Sequence, residues 1–207
     1  MTIAPLDGIL HAPLLYISLQ RILGSDRIRR ICLDRLVKLR EGERVLDIGC
    51  GPGHPPVDYV GFDTEPRYIA YAKKHYSDRG RFFCERLGRA HVTKFQPFDA
   101  IMLFGILHHV DNAEADDLLG LLAQCLAPGG RVVTIDPCFV AGQASATRLI
   151  ARWDRGRFVR TESGYRDLVA KYFNKLETSL ITGRMPSIEL DHASRYPRGA
   201  QPRCRDQ

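Results

Sequence analysis

The sequence predicts an α/β fold in which helices wind both faces of a mostly parallel sheet. Three observations carry that expectation. Apolar runs at 44–48, 57–62, 81–84, 98–104 and 131–136 have strand length and alternate with stretches of helical periodicity. The runs at 44–48 and 98–104 are apolar almost throughout, as in strands buried on both faces. Residues with chemistry then gather at the carboxyl ends of the runs: Asp47, Gly49, Asp63, Gly105, His108 and Asp136. Ligands bind at such ends in open sheets of this class.

Two helices precede the first strand. Residues 9–22 are densely apolar, with Pro13 near the start, and Gly24 ends that segment while Ser25 can cap the next. Ile28, Ile31, Cys32, Leu36 and Leu39 then recur at helical spacing, opposite a face of Arg and Asp. After the second strand, Thr64 is placed to cap a helix with Pro66 in its first turn, running to about 77. Gly80 breaks the chain before the third strand. Past the fourth strand, Asp111 and Glu114 have capping-box spacing. Ala115, Leu118, Leu119, Leu122 and Leu126 then mark an amphipathic helix that ends at Pro128-Gly129-Gly130. Further on come a helix at about 145–152, an arginine-rich loop, and a helix from Thr161 through Tyr172. Strand candidates at 176–182 and 187–190 follow, and the polar stretch 191–207 reads as a disordered tail.

The most informative stretch is 45–53, Val-Leu-Asp-Ile-Gly-Cys-Gly-Pro-Gly. Glycines straight after a central strand let the backbone turn sharply and approach a ligand with no Cβ in the way. Asp63, at the end of the second run, is the usual type of acceptor for ribose hydroxyls. A dinucleotide fingerprint would require glycine at position 54, where the chain has His54. No Tyr-x-x-x-Lys or comparable hydride-transfer set accompanies it, which disfavours a nicotinamide enzyme.

This stretch resembles the first motif of the class I S-adenosylmethionine-dependent methyltransferases, small-molecule enzymes in particular. Two further blocks support the resemblance: Phe98 through Asp111, and Leu126-Ala127-Pro128-Gly129-Gly130 leading to Asp136. It covers roughly residues 13–172. It implies a Rossmann-like single domain over 1–190, with residues 1–40 as a helical lid and a closing antiparallel hairpin. S-adenosylmethionine is the implied cofactor. Asp47, Gly49, Gly51 and Gly53 would face its methionine portion and Asp63 the ribose, with Cys50 and Thr64 also at the cofactor; the acid that reads the adenine is either Glu85 or is replaced by Arg86. The backbone at Phe104, Gly105 and Leu107 would lie near the reacting end. His108 or His109 is placed to act as a base, and histidine suits proton removal near neutral pH. Tyr16 and Gln20 match polar positions of the lid, while Arg155 and Arg157 offer guanidinium groups for an anionic acceptor. The implied reaction is methyl transfer to a small molecule through a hydroxyl or carbon nucleophile.

The chain departs from that family in two places. Only residues 49–56 separate the first two strands, whereas a parallel crossover normally takes a dozen or more and includes a helix. The first crossover helix is therefore expected to be shortened or missing. The C-terminal stretch also drifts from the apolar closing strand that relatives show. Together these departures raise a second reading, a degenerate methyltransferase-like protein acting as a binding partner.

Composition narrows the partners. Hydrophobic content of 44% with 26% charged residues is ordinary for a globular protein, and no run approaches the length that spans a bilayer. The start lacks a basic n-region, so no signal peptide is read. Six scattered cysteines without a C-x-x-C pair fit a reducing, cytoplasmic setting and no metal site. The net charge of +6 is concentrated near 152–160 and the C-terminus, with no basic–aromatic groove, which makes a nucleic-acid partner unlikely. A methyltransferase acting on RNA or protein is a further alternative, but Leu107-His108-His109 stands where an Asn-Pro-Pro-Tyr-type motif would be, which argues against nitrogen methylation of nucleobases.

Overall fold

The computed structural model describes Leu33 and residues 37–53, 58–141, 157–181 and 187–195. The chain forms two compact units, 1–87 and 88–207. The expected helices at 9–22 and 145–152, most of the second N-terminal helix and residues 196–207 lie outside the described residues.

In the first unit, β1 (Val45–Ile48) pairs in parallel with β2 (Tyr59–Asp63), which pairs in parallel with β3 (Gly80–Cys84). Every residue of β1 and the first four of β2 are buried, as their apolar runs require. Helix α1 (Pro66–Tyr76) packs Ile69 and Ala72 inward. Its cap is Glu65 and not Thr64 as expected: Glu65 Oε1 accepts the Arg67 amide at 3.1 Å. The cap moves one residue along because Asp63 takes the Glu65 amide at 2.8 Å, leaving Thr64 exposed. Between β1 and β2, residues 49–53 and 58 form turns with no helix, and residues 54–57 lie outside the described residues.

The second unit begins with a short helix α2 (Arg89–Val92) that sequence periodicity did not reveal. Strand β4 (Phe98–Phe104) leads into a 3-10 turn (Leu107–His109) and helix α3 (Asn112–Cys125). The capping box forms as expected: Asp111 Oδ1 accepts the Glu114 amide at 2.9 Å and Glu114 Oε2 accepts the Asp111 amide at 3.4 Å. The helix stops at Cys125, before the Pro-Gly-Gly signal, because Leu126 already pairs with Phe98 in the sheet. Strand β5 is accordingly longer than 131–136 and spans Leu126–Phe139. Its register against β4 shifts between Phe98 and Ala100, and Gly129, at φ 76°, falls within the extra length.

A two-residue strand β6 (Arg160–Thr161) pairs with β5, and helix α4 (Glu162–Ala170) follows, capped by Thr161 Oγ1 on the Gly164 amide at 3.2 Å. The closing hairpin is antiparallel: β7 (Phe173–Ile181) pairs with β8 (Ser187–Arg195), and β8 pairs with β5. Both strands exceed the expected 176–182 and 187–190. Residues 191–195 are thus strand and not tail, held by pairing such as Glu177 with Asp191. No described helix is long and apolar enough to cross a membrane.

Candidate functional site

The turn after β1 is built by its glycines. Gly49, Gly51 and Gly53 have φ of 71°, 58° and 78°, a region that penalises any Cβ. The Gly49 and Cys50 amides both donate to Phe62 O, at 2.8 and 3.1 Å, which ties the turn to the end of β2. A Cβ on Gly53 would meet Phe82 Cε1 at 3.3 Å and Ala72 Cβ at 3.5 Å, so the turn lies directly on β3 and α1.

Asp63 completes this cluster. Its Oδ2 accepts the Gly51 amide and its Oδ1 the Glu65 amide, both at 2.8 Å. Burial pushes its pKa above the usual carboxylate value, the Glu65 and Gly51 amides oppose the rise, and the nearby Asp47 carboxylate adds to it. A carboxylate has about four acceptor positions, so two amides leave capacity for hydroxyl donors. Asp47 itself is wholly buried and accepts the Tyr59 hydroxyl at 2.6 Å. Tyr59 had no role in the sequence reading, although an aromatic opening a strand beside an acid-ending strand is visible there. Cys50 is buried, and Glu85, just past β3, is exposed.

In the second unit, Phe104 is half-buried at the end of β4, and the Gly105 amide donates to Ile135 O at 2.7 Å with φ 71°. Leu107 is buried. The two histidines separate sharply. His109 is exposed, whereas His108 is 3% exposed, with Nδ1 2.7 Å from Asp136 Oδ1 and its amide donating to the same oxygen at 3.1 Å.

Arg160 holds the loop that carries both. Its guanidinium donates to Leu107 O at 2.6 Å, Phe158 O at 3.0 Å, Val110 O at 2.9 Å and Asn112 Oδ1 at 2.9 and 3.1 Å. The Phe158 amide adds a bond to His108 O at 3.0 Å. By sequence Arg160 is one more arginine at the end of the arginine-rich loop; in the structure its guanidinium donors are committed to protein acceptors. Lysine offers one compact ammonium where arginine offers a fork. Arg160→Lys is therefore expected to lower unfolding stability by about 2 kcal/mol, read from the urea midpoint at constant slope. An unchanged midpoint would show that the fork does not hold the loop.

Arg157 is exposed, and Tyr16, Gln20 and Arg155 lie outside the described residues. An open cleft of about 480 Å³ is lined by Asn112, Arg160, Thr161, Asp167 and Lys171 among others. Its cations are engaged, Arg160 as above and Lys171 with Asp116 at 2.8 Å, so it offers no ready anion receptor. Among the described residues, no three His, Cys, Asp or Glu side chains are grouped to hold a metal.

A family model described as a methyltransferase domain matches residues 23–197. The chain belongs to that methyltransferase family. Among its curated relatives, the aklanonic acid methyltransferase DauC of a Streptomyces species is 35% identical over 52% of this chain and 56% of its own. The ubiquinone biosynthesis O-methyltransferase of Cereibacter sphaeroides is 30% identical over 63% of this chain and 60% of its own. The chain spans 40 to 60% of the length of the first curated relatives it matches. Geranyl diphosphate C-methyltransferase from Streptomyces coelicolor superposes with a TM-score of 0.59 at 17% identity, covering 86% of this chain and 83% of that one. That likeness supports the Rossmann-like α/β fold expected for this methyltransferase domain.

Proposed function

We propose that the domain binds S-adenosylmethionine and directs its methyl group to a small-molecule acceptor through a hydroxyl or carbon nucleophile. The observation that carries this reading is Asp63. Its carboxylate is fixed by the Gly51 and Glu65 amides, beside a turn of three left-handed glycines, and keeps acceptor capacity for a pair of ribose hydroxyls. When bound, S-adenosylmethionine supplies an activated methyl group whose leaving atom is a neutral thioether sulfur. In this reading Gly49, Cys50, Gly51 and Gly53 approach the cofactor through backbone, with Asp47 behind them. Thr64 and Glu85 serve the adenosine end, and Phe104, Gly105 and Leu107 serve the reacting end. Proximity and alignment supply most of the acceleration, an effect that can reach about 7–11 kcal/mol.

His108 is the base in this reading, with exposed His109 beside it. Relatives named for ubiquinone biosynthesis, demethylmenaquinone and aklanonic acid support a small organic acceptor. Arg155 and Arg157 would meet an anionic group on it, and Tyr16 and Gln20 would belong to its lid. We place the protein in the cytoplasm, a reducing setting that suits six scattered cysteines with no C-x-x-C pair.

A second reading, a non-catalytic relative, draws support from the connection between β1 and β2, whose described residues form no helix. Calorimetric titration with S-adenosylmethionine and its demethylated product separates the two. Micromolar binding is expected; a folded protein with no binding heat would favour the second reading.

A further inference from the structure

We infer that the Phe158 side chain contacts the methyl acceptor, and that the acceptor presents it with a flat aromatic ring bearing a hydroxyl. The inference rests on the methyl-transfer reading and names the chemical class of its acceptor, a phenol or quinol.

A single exposed apolar side chain is ordinary on a protein surface and carries no message by itself. Phe158 differs in how it is held. It is 37% exposed, and Leu180 of β7 is the one other large apolar side chain left exposed among the described residues. Its backbone is bonded on both sides: the amide donates to His108 O at 3.0 Å, and the carbonyl accepts Arg160 Nη1 at 3.0 Å. Among the described residues, no ring or cation is stacked on its side chain. The backbone is thus ordered in advance while the ring stays open. An aromatic side chain has only two torsions left to settle when a ligand arrives, which keeps the entropic cost of binding low.

The anchor points put this ring where chemistry-bearing residues gather. His108 O belongs to the loop after β4, and the His108 amide is itself bonded to Asp136 of β5. Arg160 ties down the same loop through Leu107 O and Val110 O, and pairs with Cys138 of β5. Ligands of open α/β sheets sit outside such carboxyl ends. The three segments joined here carry apolar side chains that remain half-buried: Ile106 and Val110 in the loop, Phe139 ending β5, and Val159 beside Phe158. The Arg160 donors are engaged by protein, so the lining is chiefly apolar and aromatic, as small-molecule sites usually are. Polarity comes from exposed His109 and from Arg157, which is exposed and has no partner among the described residues.

A hydroxylated aromatic ring suits this lining on two counts. Rings gain from offset or edge-on contact beyond the area they bury. A phenolic hydroxyl, with an ordinary pKa of about 10, also gives up its proton far more readily than an aliphatic alcohol and so demands less of a base. An aliphatic alcohol would meet the same apolar surface without either gain.

The test uses two probes, 2-naphthol and decahydro-2-naphthol, which share a hydroxyl and a carbon skeleton and differ in flatness. Each is titrated into the nitrogen-15-labelled full chain, so that amide shifts report both affinity and place. The expected result is tighter binding of 2-naphthol by about two- to tenfold, the range that a ring–ring contact adds to burial. The shifts should move at Leu107–His109 and Arg157–Thr161. Phe158→Leu keeps an apolar side chain and both backbone bonds but loses the ring, and should bring the two affinities together. Phe158→Tyr should keep them apart. Failure of both probes to bind, equal affinities in the wild type, a preference that survives in Phe158→Leu, or shifts confined to other segments would each overturn the inference. Absence of S-adenosylmethionine binding by calorimetry would defeat the methyl-transfer reading separately. A ring preference lost in Phe158→Leu would then still place an aromatic ligand at Phe158.

Discussion

Asp63→Ala is expected to reduce affinity for S-adenosylmethionine at least about 100-fold, because hydrogen bonds to a charged group contribute about 1.5–3 kcal/mol each. Two ribose hydroxyls would lose their acceptor together, and the Gly51 and Glu65 amides would lose theirs. The binding also carries a pH signature. The Asp63 pKa lies above its usual value, first through burial. Hydroxyl donors favour the ionised form, so affinity should hold near neutral pH and fall as pH drops through that raised pKa. Stability runs the other way. A carboxyl whose folded pKa is raised contributes its favourable part fully below the unfolded value of about 3.9 and loses it as pH rises through the folded one. Calorimetry across pH on wild type and Asp63→Ala checks both. Equal affinity in the two proteins would remove Asp63 from the site.

The strand–glycine–acid arrangement was legible because each of its parts obeys a local rule. A doubly buried strand reads as an unbroken apolar run, a left-handed turn calls for glycine, and both survive without knowledge of the partner strands. Helix α3 was legible at its start for the same reason, since the capping box of Asp111 and Glu114 lies within one turn. Its end was not. Pro128-Gly129-Gly130 signals a stop in any sequence, but the pairing of Leu126 with Phe98 stops the helix earlier, and that pairing is a tertiary fact. The cap at Glu65 failed to show for a similar reason: Thr64 is an acceptable cap by type, and Asp63 decides the matter by taking the next amide. Arg160 was visible only as one arginine among several. Its acceptors Leu107, Val110 and Asn112 lie about fifty positions away, beyond the reach of any periodicity.

Tyr59→Phe is the second large expected effect, a loss of about 1.5–3 kcal/mol of folding stability for one hydroxyl oxygen. The reason lies in how β1, β2 and β3 share a face. Tyr59 and Gly61 point to the same side of β2, and Gly61 stands in register between Asp47 of β1 and Phe82 of β3. A Cβ on Gly61 would lie 2.9 Å from Tyr59 Cε1, and one on Gly80 would lie 3.1 Å from Tyr59 Cδ1. Gly61 thus leaves room for this ring and for Cys50, whose Sγ a Cβ would meet at 2.8 Å. Gly80 leaves room for the Tyr59 carbonyl at 2.9 Å as well as the ring, which tilts against Phe82 at 5.7 Å. The seat lets the hydroxyl reach the buried Asp47 carboxylate at 2.6 Å. Phenylalanine keeps the ring and its packing, so the change isolates the bond to a buried charge. Urea unfolding should show a lower midpoint with the same slope. An unchanged midpoint would mean that other donors carry Asp47, and that the two glycines make room for packing alone.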